Sequence, residues 1–218
     1  TEDKNLYEQH LIPRCLVIDM PYPMIVPDPA PVYASTSKTI LSSGRLTYQK
    51  GFDMLVDVAA QVLPQHPGWQ WLILGEGEDR STLEDKIAHA GIGNQLILKG
   101  RVPDTDSYYR KSAFFVLTSR FEGLPMVLLE AKAYGLPIVS FDCPTGPSEI
   151  IEDAVNGNLV HPDDIAAMAK NVDCLIEDRA TRERYALHAG DGNGRFAKET
   201  IIDQWKTLLN TVLRTIAR

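Results

Sequence analysis

What this chain lacks narrows it before anything it contains. Three cysteines in 218 residues, Cys15, Cys143 and Cys174, are odd in number and widely spaced. They form no C-x-x-C pair and no Cys/His ligand pattern, which excludes a disulfide framework or a zinc module and fits a reducing, cytoplasmic setting. Positive charge is in deficit: 22 Lys and Arg against 29 Asp and Glu give a net charge of -7. A chain of that sign offers no general surface to nucleic acid or anionic lipid, so any phosphate it holds must meet a local cluster. No apolar run approaches the roughly 18 residues of a membrane span, and no leader pattern opens the chain. It begins at Thr1 rather than Met, which reads as an expressed fragment or a processed product. The five histidines (His10, His66, His89, His161 and His188) are scattered without ligand spacing and read as structural or surface residues, so no metal site is expected.

What is present is an ordinary globular composition, 44% hydrophobic and 23% charged, in a length that allows one domain or a small pair. Residues 1–36 are crowded with proline after a short helical opening (Thr1 to His10) and read as a linker, or an extended arm lying on a neighbouring surface. From Ser37 onward strands and helices alternate. Strands are expected at 39–42, 71–74, 95–98, 113–117, 138–141 and 158–160. Helices are expected at 51–63, 81–90, 104–111, from Met126 to Gly135, and at 163–176, 181–188 and 198–217. The apolar stripe of the last helix (Ile201, Ile202, Trp205, Leu208, Leu209, Val212, Leu213) reads as mostly core, with part of that face exposed if the chain is a fragment. Alternation of this kind predicts an α/β fold with a doubly wound, Rossmann-like parallel sheet, whose ligands sit beyond the carboxyl ends of the strands.

The motifs lie at those ends. Ser119 to Ala131 follows an apolar strand. Gly123 permits a sharp turn or close ligand approach, and Pro125 is placed to open a helix that Gly135-Leu136-Pro137 stops. Free N–H groups at that helix start suit an anion beside Glu122, Gly123 and Leu124. Glu122 and Glu130 are eight positions apart, roughly 12 Å at helical rise. Glycosidase carboxylates stand only about 5–10 Å apart, so these read instead as two acceptors meeting separate parts of a long, hydroxyl-rich ligand.

Gly44-Arg45-Leu46 with Lys50-Gly51 puts two cations beside a helix start, a phosphate grip without the P-loop pattern. Gly75-Glu76-Gly77-Glu78 lacks the third glycine of a dinucleotide fingerprint, since Arg80 stands in its place, and reads chiefly as a tight turn. Gly100-Arg101-Val102-Pro103 favours extended backbone with outward polar groups. In Asp142 to Glu149, Ser148 is placed to cap the next helix, and a structural role is favoured over ligand contact for Thr145-Gly146.

Together these motifs resemble, in order and approximate spacing over about residues 36–215, the C-terminal half of the family 4 retaining glycosyltransferases of the GT-B fold, with their E-x7-E motif at Glu122 and Glu130. The resemblance implies a donor-binding domain at 37–218, its tail at 1–36 leading from an acceptor-binding N-terminal domain outside this chain. It implies that Arg45 and Lys50 hold the donor diphosphate in place of a metal, and that Gly44 and Gly75 line the nucleotide pocket. Arg101 and Val102 would lie at the base, read by main chain. Glu122, Gly123, Leu124 and Pro125 would face sugar and phosphate, and Glu130 the ribose. Glu122, Arg45 and Lys50 are the catalytic candidates. The implied co-substrate is a nucleotide diphosphate sugar, with a UDP-sugar expected although side chains leave uracil, guanine and adenine open. No cofactor is implied. The acceptor would be a saccharide or lipid-linked sugar, in bacterial surface polysaccharide or lipopolysaccharide synthesis, with peripheral membrane contact open to the full-length enzyme. The alternatives are a GT-B-fold nucleotide-sugar epimerase and a non-catalytic module that binds nucleotide or a protein.

Overall fold

The computed structural model describes residues 23–216. The helix expected at Thr1 to His10 lies outside the described residues. Short β-branched and aromatic runs form six strands: β1 (Thr39–Ser43), β2 (Gln70–Leu74), β3 (Leu96–Gly100), β4 (Phe114–Leu117), β5 (Ile138–Phe141) and β6 (Gly157–Val160). All pair in parallel, in the order β3-β2-β1-β4-β5-β6. The helices are α1 (Phe52–Val62), α2 (Arg80–His89), α3 (Asp106–Lys111), α4 (Met126–Ala133), α5 (Pro147–Ile150), α6 (Ile165–Glu177), α7 (Arg179–His188) and α8 (Lys198–Ile216). This is the doubly wound α/β sheet that the alternation predicts.

Because strand side chains alternate faces, each buried strand feeds two cores. Ile40, Trp71, Ile73, Phe114, Val116 and Val139 join the layer that includes residues of α1, α2 and α6. Their neighbours Leu41, Leu72, Leu74, Phe115, Leu117 and Ile138 join the opposite layer with Tyr109 and residues of α4. Each side chain buried in this way contributes roughly 1.5–3 kcal/mol. Two polar side chains in this interior are linked: Trp71 Nε1 donates to Ser42 Oγ at 3.0 Å, and Ser42 Oγ donates to the Val116 carbonyl at 2.7 Å.

Residues 23–38 form no helix or strand and lie along the domain. Met24 N–H donates to the Phe196 carbonyl at 2.8 Å, and the Tyr33 hydroxyl donates to the Ala113 carbonyl at 2.7 Å. Burial pushes the Tyr33 phenol up to about 12.

Three expectations need correction. Pro125 is the residue before α4 rather than its first, with extended backbone, and its carbonyl accepts from Leu128 N–H at 2.9 Å. Ser148 lies inside α5 and caps nothing; Gly146, at φ 96°, occupies the cap position because the chain turns there against the Gly123 carbonyl. The apolar stripe of α8 is not core: Ile201 is buried, while Ile202, Trp205, Leu209, Val212 and Leu213 are 41% to 64% exposed. Past Ile201 the helix runs off the layered body, and no described strand or helix packs extensively on that stripe.

Candidate functional site

Sheet order decides where a site can form. Strands β1 and β4 are neighbours, but the chain leaves β1 toward β2 and leaves β4 toward β5, on opposite sides. The loops beyond their carboxyl ends diverge and open a crevice. On the β1 side lies a cleft of about 200 Å³, lined by Ser43, Gly44, Arg45, Leu74, Gly75, Glu76, Arg101, Val102 and Thr105. Gly44, Arg45, Gly75, Arg101 and Val102, singled out separately in the sequence, therefore share one wall. The loops are laced by main-chain bonds: Gly44 N–H to Leu74 O at 2.9 Å, Leu46 N–H to Glu76 O at 3.0 Å, and Gly75 N–H to Gly100 O at 2.9 Å. A Cβ at Gly75, where φ is 134°, would stand 1.9 Å from the Gly44 carbonyl oxygen. The glycine serves close approach of two loops rather than dinucleotide binding. The guanidinium groups of Arg45 and Arg101 are exposed and make no hydrogen bond or ion pair with the described residues.

Lys50 and Glu122 bridge the crevice itself. Lys50 ends a 3-10 turn, Tyr48–Lys50, and its stem passes Gly44, where an added Cβ would lie 3.3 Å from Lys50 Cγ and Cδ. Its ammonium donates to Glu122 Oε1 at 2.6 Å, and Ser119 Oγ donates to the same oxygen at 2.7 Å. The two side chains are only 16% and 6% exposed, so Glu122 is not a solvated loop residue. Gly123 and Leu124 follow on the way to α4, whose start carries no side-chain cap. The turn is held from behind: the Thr145 hydroxyl donates to the Glu122 carbonyl, and Gly146 packs against Gly123 and Pro125. That agrees with a structural role for Thr145-Gly146.

Glu130 sits on α4, exposed, and accepts from the Tyr109 hydroxyl at 2.7 Å. Tyr109 is 1% exposed, in the same core layer as Leu74, which lines the cleft. Burial, then the Glu130 charge, pushes the phenol well above its ordinary range. The Tyr109–Glu130 bond ties the second carboxylate to this core layer. Tyr109, Ser43 and Thr105 were missed in the sequence. A lone tyrosine in a short helix reads as core, and only the fold shows where its hydroxyl points.

Other charged groups are engaged elsewhere. Arg120 forks onto Asp53 at 2.8 and 2.6 Å and lies 4.1 Å from the Tyr48 ring centroid, a strut between the loops. Asp53 is held below its ordinary range by that guanidinium. Arg80 pairs with Glu76 at 2.6 Å and Glu84 at 2.8 Å. His66 meets Asp173 at 2.6 Å, with Glu177 near enough that three ligand atoms lie within 4.8 Å of one another. That group stands where the chain enters β2, at the end of the sheet away from the cleft.

A Rossmann-like domain that gathers cations and two carboxylates at its switch point belongs to the class of α/β proteins with a polar crevice beyond the strand ends. Comparison with known proteins makes this particular. Residues 29–189 match the family model for glycosyl transferases group 1, and the chain belongs to that family. It is 37% identical over 179 residues to the amylovoran biosynthesis glycosyltransferase AmsD of Erwinia amylovora, covering 82% of this chain and 50% of that protein. Among solved structures it is similar to a mutant of S. aureus TarM in complex with fondaparinux, α-GlcNAc-glycerol and UDP. There the TM-score is 0.77 and the identity 26%, over 85% of this chain and 37% of that one. HepE from Anabaena in complex with UDP gives a TM-score of 0.73 at 25% identity, over 80% and 49% of the two chains. The chain is a GT-B glycosyltransferase domain, and it spans half the length of the curated relative. No helix of the described residues is long and apolar enough to cross a membrane.

Proposed function

We propose that this chain is the donor-binding half of a family 4 retaining glycosyltransferase. The intact enzyme transfers a hexose, with retention, from a UDP-sugar to a saccharide or lipid-linked acceptor held by an N-terminal domain. The setting is surface polysaccharide assembly at the cytoplasmic face of a membrane. The observation that carries this reading is the Lys50–Glu122 bridge across the β1/β4 crevice, beside the cleft that holds Arg45 and Arg101.

The diphosphate would lie over Gly44 and the start of α4. Arg45, without a partner among the described residues, would fork onto phosphate oxygens. Lys50 would turn from Glu122 toward the phosphate, releasing the carboxylate to accept from hydroxyls of the donor sugar. The N–H groups of Gly123 and Leu124 add donors aimed at the same charge. As the sugar–phosphate bond breaks, these cations stabilise the leaving diphosphate without a divalent ion. The base would sit against Arg101 and the main chain of Val102, and the ribose against Glu130. Family resemblance and the UDP in related structures support this assignment.

Calorimetric titration of the chain with UDP, GDP and ADP, with and without magnesium, tests it. UDP is expected to bind equally well in both conditions, and Lys50→Ala to abolish most of the affinity. Binding by none of the three, or affinity untouched in folded Lys50→Ala and Glu130→Ala, would refute the reading.

A further inference from the structure

Glu130 is exposed on α4, and an exposed carboxylate ordinarily samples several rotamers in water. Here one of its oxygens, Oε2, is tied to a phenol packed in the core. Tyr109 is buried and stacked against Phe115 (5.9 Å between centroids, 8° between planes) and Tyr134 (5.0 Å, 17°). Tyr134 is itself fixed through its hydroxyl to Asp106 Oδ1 at 2.6 Å, and Arg110 holds the other Asp106 oxygen at 2.6 Å. The second Glu130 oxygen, Oε1, has no partner among the described residues. A neutral donor is suited to this task. A lysine would fix the carboxylate but cancel the charge that makes it a strong acceptor, whereas a phenol leaves that charge intact.

We propose that Tyr109 is a positioning residue: by donating to Glu130 Oε2 it presents Oε1 to the ribose 2′-hydroxyl, so that the cleft selects ribonucleotides over 2′-deoxyribonucleotides. This rests on the ribose role of Glu130 in the proposed function. A purely structural Tyr109, with Glu130 present only to satisfy a buried hydroxyl, would affect stability but not the preference between the two nucleotides.

The test is calorimetric titration of wild type, Tyr109→Phe, Glu130→Gln and Glu130→Asp with UDP and with 2′-deoxy-UDP. Wild type should prefer UDP by about tenfold, the worth of one charge-assisted hydrogen bond. Tyr109→Phe keeps the ring stack and should lose most of that preference by weakening UDP alone. Glu130→Asp keeps the charge on an exposed position but withdraws it from the phenol, and should lose the preference too, whether or not Tyr109→Phe folds. If Glu130→Gln loses the preference while folded Tyr109→Phe or Glu130→Asp retains it, the positioning role is overturned and the ribose role stands. If Glu130→Gln retains it, or wild type binds no UDP, the ribose role falls and the inference falls with it.

Discussion

Lys50 and Glu122 show how much the surroundings of an ion pair matter. At 2.6 Å and 16% and 6% exposure, removing one partner strands the other away from water, a cost on the order of 3–5 kcal/mol for buried pairs. The Arg179–Glu183 pair, at 56% and 44% exposure, has a comparable distance of 2.8 Å, yet exposed pairs are worth about 0–1 kcal/mol. Lys50→Ala is therefore expected to lower stability as well as nucleotide affinity, and its titration belongs with a urea melt. Lys132 makes a different prediction. It is 4% exposed, and its ammonium donates to the Ile150 carbonyl at 2.9 Å and the Asp191 carbonyl at 2.8 Å. Burial pushes it from 10.5 down to about 8, with Asp191 and Glu152 opposing the shift and Arg195 adding to it. Below pH 8 both folded and unfolded chains carry the proton, and the fold bears the cost of a buried charge. Between about 8 and 10.5 the unfolded chain binds more protons than the folded one, so this residue's contribution to stability rises with pH. Urea midpoints at pH 7 and 9.5 should show wild type gaining on Lys132→Met across that interval. The comparison stops short of the tyrosines: Tyr33 and Tyr134, pushed up to about 12, favour the unfolded chain once pH passes 10.

Elements were legible wherever local chemistry decides them. The Gly-Leu-Pro stop after α4 is an example: Gly135 adopts φ 72°, its N–H reaches Lys132 O at 3.0 Å, and Leu136 N–H reaches Ala131 O at 3.0 Å. Only glycine takes that backbone at no cost, so the sequence states the ending directly. Amphipathic stripes are less explicit. The same periodicity that places Phe52, Leu55, Val56, Ala59 and Val62 in the core leaves most of the α8 stripe in water. A stripe says that a face can be buried; it does not say what covers it. The two ends of α8 should respond differently to truncation. Ile201→Ala removes a buried side chain and should cost about 2–4 kcal/mol. Trp205→Ser alters a residue that is 48% exposed, and should stay within about 0.5 kcal/mol. Urea denaturation of the two variants measures both, and equal losses would show that the stripe is packed after all.

At the scale of the molecule, the sheet gathers groups that the chain keeps far apart. Gly44, Gly75 and Gly100 end three successive strands, and strand-end glycines in an alternating α/β pattern already point to one crevice. Partnerships across that crevice were not legible. Nothing in the local sequence says that Lys50 will meet Glu122, or that a phenol in α3 will hold Glu130. Those contacts depend on the angle at which β1 and β4 present their loops. Gly75 is where this global geometry rests on a single residue. A methyl group there would stand 1.9 Å from the Gly44 carbonyl oxygen and would impose φ 134° on a side chain that avoids it. Either the Gly44–Arg45 loop or the Gly75–Glu76 loop must then move, and with it the cleft wall that both supply. Gly75→Ala should therefore lose roughly 2–4 kcal/mol of stability and nearly all nucleotide binding. Gly190→Ala is the matched control, since nothing lies within 4 Å of its Cβ position and its φ is not positive. It should change neither quantity. Thermal melts and UDP titrations of the pair would separate the two cases. A Gly75→Ala protein that melts and binds as wild type does would mean that the loops can part without cost, and that the cleft does not depend on their close approach.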